Sequence, residues 1–259
     1  MVLRPRWWRR GCWLVLLAAV SAQAQVTIVT DIENFSTEQS LTAGPGVTTS
    51  TVSSLGSIGG YRTLQITRDP NASGGSLGGT GLYFYDLPPT DPQQMSWSSG
   101  TARYNFQAIW GGADGTSGLG GFQFGNGQPL NLTLSFLRFG LVSLDLPAGS
   151  NLRWEFQDTQ NRLATYEIRL PQYSPDLTLP PSLYEVPLNL FQGSGELDWN
   201  AVNFVKLAGG DSGLDLTLTG PFQLSANVPE PASASLLIAG TIGLLALSRR
   251  RNSKIKIQD

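Results

Sequence analysis

The chain is predicted to be all-β: an antiparallel sandwich of jelly-roll type over its exported middle, followed by one C-terminal membrane-spanning helix. Three observations predict this. Apolar and polar residues alternate in short runs between residues 25 and 227, with almost no stretch at helical period. Gly, Pro, Asn, Asp and Ser clusters interrupt those runs at roughly the 8–12-residue spacing of sandwiches. A single uncharged apolar run, Ala232–Leu247, then precedes an arginine cluster.

In chain order, Val26–Ile32 (VTIVTDI) reads as the first strand. Thr37–Gly60 is rich in Ser, Thr and Gly and reads as a long surface loop. Tyr61–Asp69 is a second strand, with Thr63, Gln65 and Thr67 on one face and Leu64 and Ile66 on the other. Pro70–Gly79 is turn chemistry, Gly81–Leu87 a strand, and Pro88–Gln94 another turn. Arg103–Trp110 alternates Tyr104, Phe106, Ala108 and Trp110 against polar partners, as a half-buried strand does. Leu130–Phe136, Leu141–Leu146, Leu152–Gln157 and Leu163–Leu170 follow as strands. After a proline-rich crossing come Tyr184–Phe191, Ala201–Leu207, Leu214–Leu218 and Phe222–Leu224. No internal repeat is evident, which disfavours a propeller or solenoid. The first strand running into Asp31-Ile32-Glu33-Asn34-Phe35, the entry Gly59-Gly60-Tyr61-Arg62 and the closing Leu214–Leu218 strand resemble galactose-binding-like jelly-roll domains.

The two ends are targeting segments. Arg4, Arg6, Arg9 and Arg10 form a basic region, Cys12–Val20 an apolar one, and Ala22-Gln23-Ala24 a small-x-small cleavage site. Together they make residues 1–24 a secretory signal peptide cut after Ala24. At the other end stands Pro229-Glu230-Pro231, then the apolar run, then Arg249, Arg250 and Arg251. As a helix, Ala232–Leu247 spans roughly 24 Å, a little under the hydrocarbon core. Ser248 and the snorkelling arginines extend the span to residue 248. The arginines are expected to remain cytoplasmic and act as a stop-transfer signal.

A Pro-Glu-Pro tripeptide, one short apolar span and an arginine cluster resemble the PEP-CTERM sorting tail. The resemblance covers residues 228–251 and implies export, retention in the membrane through the tail, and an exosortase-type transpeptidase as partner. Residues 252–259 are a short cytoplasmic extension beyond the family's usual end.

Charge follows this division. Between Gln25 and Val228 stand seventeen acidic and eight basic residues, a net charge near −9, while both ends are basic. An acidic exported domain has no face for nucleic acid. The chain has no histidine, and its one cysteine, Cys12, lies in the signal. Ser-His-Asp and Cys-His catalysis and histidine-ligated zinc or copper are therefore excluded, and the exported domain has no disulfide.

Carboxylate chemistry and oxygen-ligated metals remain. Glu155, Asp158, Glu167, Glu185, Glu196 and Asp198 are available for a glycosidase pair, but their spacing selects none. Asp31 and Glu33 at the end of the first strand, with Asp211 and Asp215 around the last, are candidate ligands for a structural calcium. The plainer reading is that they protect strand edges. Trp97 and Trp110 are candidate glycan contacts, weighed against the commoner use of tryptophan as core. Tyr83, Tyr85 and Tyr104 are further strand aromatics. The sequence thus describes an exported, surface-sorted protein of the cell envelope or extracellular matrix, structural or adhesive, and the PEP-CTERM resemblance implies an association with polysaccharide. A non-catalytic glycan-binding module and a carbohydrate-active enzyme with paired carboxylates are the alternatives.

Overall fold

The computed structural model describes residues 25–69, 80–85, 93–99, 103–113, 115, 117–124, 130–145, 151–168, 182–210 and 213–228. Among them are thirteen strands: β1 (Gln25–Glu33), β2 (Gln39–Thr42), β3 (Val47–Ser53), β4 (Tyr61–Arg68), β5 (Gly81–Tyr85), β6 (Gln94–Ser98), β7 (Tyr104–Trp110), β8 (Ser135–Asp145), β9 (Asn151–Asp158), β10 (Leu163–Glu167), β11 (Ser182–Pro187), β12 (Val202–Gly210) and β13 (Asp215–Val228). Two short 3₁₀ turns, Ile58–Gly60 and Leu188–Leu190, complete the set. Ile28–Ala226 is one compact unit, and residues 25–27 and 227–228 belong to a second.

The strands form an antiparallel two-sheet sandwich. The larger sheet has seven strands in the order β11-β8-β13-β6-β5-β2, with β1 also pairing to β13. The smaller has six, β10-β9-β12-β7-β4-β3. The fold-defining residues are those that the alternating pattern turns inward. Leu82 and Phe84 of β5, Met95 and Trp97 of β6, Leu137 and Phe139 of β8, and Leu216 and Leu218 of β13 are buried. Leu64 and Ile66 of β4, Phe106 of β7, Trp154 and Phe156 of β9, and Val205 and Leu207 of β12 are buried on the other sheet. Aromatic rings supply much of the core: Trp110 stacks on Trp154 at 5.9 Å between centroids, and Phe222 meets both edge-on.

Several boundaries differ from those expected. Thr37–Gly60 is not a loop but holds β2, β3 and a 3₁₀ turn. Its β-branched threonines fit a half-exposed edge strand, although they give no apolar contrast. Gln94–Ser98, where a turn was expected to end, is β6. Asn131–Leu134 is a turn and not the start of a strand, because the Asn131 Oδ1 accepts from the amides of Thr133 and Leu134. The end of the expected Leu130–Phe136 strand and the start of the expected Leu141–Leu146 strand belong to one strand, β8.

The expected strands Leu214–Leu218 and Phe222–Leu224 likewise merge into one, β13, which begins at Asp215. Its register shifts between Thr219↔Gly140 and Gln223↔Arg138. The cis Gly220-Pro221 bond lies within that irregularity.

The expected membrane span at 232–248 and the signal segment lie outside the described residues. Among the described residues no helix is long and apolar enough to cross a membrane.

Candidate functional site: the outer face of the larger sheet

Where one set of side chains on the larger sheet turns inward, the alternate set forms its outer face. The pairing places them in rows. Gly81, Tyr83 and Tyr85 of β5 lie opposite Ser98, Ser96 and Gln94 of β6. Those three lie opposite Asp215, Thr217 and Thr219 of β13. On its other side β13 meets β8: Thr219 faces Gly140 and, beyond the shift, Gln223 faces Arg138. Leu183 and Glu185 of β11 pair with the same two β8 residues.

The face has an aromatic end and a charged end. The rings of Tyr83 and Tyr85 are nearly parallel, at 14° and 6.0 Å between centroids. Gly81 makes room for this arrangement: a Cβ there would lie 2.5 Å from the Tyr83 hydroxyl. At the far end the Arg138 Nε stands 3.2 Å from the Glu185 Oε1. Between them run hydroxyls and amides, including the Ser96 and Thr217 oxygens 3.4 Å apart. A depression of about 280 Å³ opens at the β13 irregularity, lined by Arg138, Gly140, Leu183, Thr219, Gly220, Pro221 and Gln223. Gly140 is required there, because a Cβ would fall 1.9 Å from the Thr219 Oγ1. A rigid surface with stacked aromatics, hydroxyls, amides and one ion pair is chemically suited to a polyhydroxylated ligand.

The residues singled out from sequence lie elsewhere. Trp97 and Trp110, the candidate glycan contacts, are 1% and 0% exposed, so neither offers a ring face to a ligand. Both sit on the inward parity of their strands. The Trp110 indole Nε1 donates to the Glu33 Oε2 at 3.0 Å.

Glu33 itself is fully buried, and its carboxylate is already occupied. Its Oε1 accepts from the Phe35 amide at 2.7 Å, and its Oε2 takes the Ser57 hydroxyl and stands 2.9 Å from the Arg62 Nη1. Asp31 is exposed and accepts from the Gln223 Nε2 at 2.8 Å. Asp215 is exposed on the outer face of β13, and Asp211 lies outside the described residues. The structure therefore does not bring Asp31, Glu33 and Asp215 together. Among the described residues no three acidic side chains form a group that could hold a metal.

The carboxylates considered for catalysis are engaged separately. Glu155 pairs with Arg153 and Glu185 with Arg138. The Asp198 Oδ1 accepts from the Asn200 amide at 3.0 Å. Asp158 is buried, and both of its oxygens are saturated. Oδ1 accepts from the amides of Gln160 and Arg162, and Oδ2 accepts from the Asp198 amide and the Arg162 Nε.

Sequence reasoning missed Arg62. It is 0% exposed, donates from Nε to the Gln39 Oε1 at 2.9 Å and from Nη2 to the Thr37 carbonyl at 2.7 Å, and lies 3.9 Å over the Phe84 ring. Burial lowers its pKa and the Glu33 carboxylate opposes that shift. The signal was its parity: Arg62 alternates with Leu64 and Ile66, on the face those residues bury.

Comparison with solved structures gives matches of low identity. The family 11 carbohydrate-binding module of the cellulase Lic26A-Cel5E of Clostridium thermocellum is 11% identical, over 79% of this chain and 96% of that one, with a TM-score of 0.37. The family 30 carbohydrate-binding module of Cel9D-Cel44B of the same organism is 10% identical, over 60% and 90%, with a TM-score of 0.40. The family 11 xylanase of Neocallimastix patriciarum is 11% identical, over 73% and 99%, with a TM-score of 0.34. No curated protein matches the sequence. The expected signal cleavage residues Ala22 and Ala24, the tripeptide Pro229-Glu230-Pro231 and the arginines 249–251 lie outside the described residues. Residues 227–252 match the PEP-CTERM protein-sorting motif, so the chain carries a PEP-CTERM sorting tail, the mark of export and sorting to the cell surface.

Proposed function

We infer that this is an exported envelope or extracellular-matrix protein, processed by an exosortase-type transpeptidase, whose sandwich holds polysaccharide without catalysis. The carrying observation for the glycan role is the outer face of the larger sheet. Tyr83 and Tyr85 supply stacking area there, and the rows of Ser, Thr and Gln supply hydrogen bonds. The exported part is strongly acidic and Arg138 is already paired, so a neutral polymer suits the face better than an acidic one. Tyr83→Ala with Tyr85→Ala is expected to weaken retention in gels containing neutral polysaccharide by at least roughly tenfold, about 1.4 kcal/mol. Both rings are on the surface, so the melting temperature should be nearly unchanged. Equal retention of the double variant would remove the glycan role from this face. Release of shortened sugar products would favour the enzymatic reading with paired carboxylates.

The sorting part has its own test. With Pro229-Glu230-Pro231 replaced by alanines, the protein is expected to keep its tail and remain in the membrane fraction, while the wild type loses tail mass and leaves it. Intact mass and membrane partitioning read both. Identical behaviour of the two would mean that the tripeptide is not read and that the protein is an ordinary anchored ectodomain.

A further inference from the structure

β3 is the outermost strand of the smaller sheet. Its bonds to β4 follow from the register Thr48↔Ile66, Ser50↔Leu64 and Val52↔Arg62, continued by the Gly46–Arg68 and Ser54–Gly60 backbone bonds at either end. Even-numbered residues thus turn their backbone groups toward β4. Val47, Thr49, Thr51 and Ser53 turn theirs outward, and no described residue takes up those groups. Such an edge is an open template for another strand.

The β10, β11 and β2 edges are blunted, and β3 is not. The β10 edge is covered by a two-way backbone bridge between Thr165 and Gln192. β11 carries Glu185 and Pro187, and β2 is only four residues long. Val47–Ser53 has no charge, no proline and no glycine across its seven residues. It is flanked by exposed apolar side chains: Val47 at one end is 61% exposed, and Leu55 just past the other is 97% exposed.

We propose that β3 pairs antiparallel with β3 of a second copy of this chain, about a two-fold axis through Ser50. The occupant follows from self-complementarity. Pairing about Ser50 sets Thr49 against the second copy's Thr51, and Val47 against its Ser53. Every outward amide and carbonyl of the four residues then finds a partner. Thr–Thr pairs across strands are favourable, and the sheet already contains one, with the Thr51 and Thr63 hydroxyl oxygens 2.9 Å apart. Leu55 of each copy is carried past the other's Val47, covering the two exposed apolar ends. The edge is uncharged, so the net acidity of the domain does not act at the contact itself. One strand pair is a small interface, and the association is weak in dilute solution. Holding the chains on one surface raises their local concentration and strengthens it.

Sedimentation of the full chain in mild detergent over a wide concentration range tests this. The wild type is expected to shift toward dimer, and Thr49→Lys to raise the dissociation constant at least tenfold. Val47→Lys, at an exposed end of the same strand, serves as the second variant. Association through the apolar tail would be indifferent to both changes. In a Cys12→Ser background, Ser50→Cys sits at the two-fold axis, where facing Cα atoms of a non-hydrogen-bonded pair are close enough for a disulfide. It is expected to cross-link on oxidation, and Ser96→Cys, on the other sheet's outer face, is not. A wild type monomeric throughout, dimerisation unaffected by both lysines, or equal cross-linking at positions 50 and 96 would overturn the proposal. Glycan retention is read at Tyr83 and Tyr85 and stands or falls separately.

Discussion

Arg62→Met is expected to destabilise the domain by about 3–5 kcal/mol, the usual cost of breaking a buried ion pair from one side. Arg62 and Glu33 are both fully buried and stand 2.9 Å apart. Without the guanidinium, Glu33 keeps Ser57, Trp110 and the Phe35 amide but loses its cationic partner. The Gln39 Oε1 and the Thr37 carbonyl lose their donors at the same time. The arginine thus joins β1, the segment leading into β2, and β4 inside the core. Urea unfolding measures the loss. Glu33→Gln closes a double-mutant cycle, in which Glu33→Gln with Arg62→Met should be less damaging than the sum of the single changes. A loss under about 1 kcal/mol for Arg62→Met, or strict additivity, would mean that the pair is not buried and coupled as described.

Asp158→Asn is expected to cost about 3 kcal/mol at neutral pH, because a buried carboxylate with four donors becomes an amide that must turn an N–H₂ toward two of them. Burial alone would push the Asp158 pKa up. The amides of Asp198, Arg162 and Gln160 and the Arg162 guanidinium outweigh it, and the pKa lies below its ordinary 3.8. The sign follows. The folded state holds its proton less tightly than the unfolded chain, so this contribution is fully present above the ordinary carboxylate value. It is lost as pH falls through the lowered native value. Denaturation measured from pH 6 downward should therefore show a wild-type loss below about pH 4. Asp158→Asn should lack that component. Parallel acid profiles for the two proteins would show that the carboxylate is not held in its charged form. The cost falls on the junction of the β9–β10 turn with the segment before β12, since Asp158 holds the amides of Gln160 and Arg162 on one side and of Asp198 on the other.

Sequence made the sandwich legible wherever apolar and polar residues alternate with contrast. Arg103–Trp110 reads cleanly because Tyr104, Phe106 and Trp110 stand out against Asn105 and Gln107. β3 does not, because Thr and Ser occupy both of its faces and an edge strand buries little. β13 reads as two strands in the sequence because Gly220-Pro221 reads as an end, whereas the paired sheet absorbs it as an irregularity. The candidate site was legible only in part. Tyr83 and Tyr85 were visible as strand aromatics, but their stacking depends on Gly81 and on parity. Trp97 and Trp110 attracted attention by residue type, although their parity is that of Leu82 and Phe106, which are core. Arg62 was hidden by its charge: reading it inward requires Glu33, twenty-nine positions earlier in the chain, as its partner.

The strand that leads into the sorting tail is β13, which lies inside the larger sheet between β8 and β6. Its last residue, Val228, directly precedes the tripeptide. Tension applied at the C-terminal end of the chain therefore enters the sandwich along β13. Antiparallel ladder bonds run across the strands, so such a pull loads many of them in shear together instead of opening them one at a time. A handle placed at the end of β11, the outermost strand, would peel that strand away bond by bond. Single-molecule extension from the C-terminal end should accordingly need a larger force than extension from β11, which makes β13 itself a mechanical reinforcement.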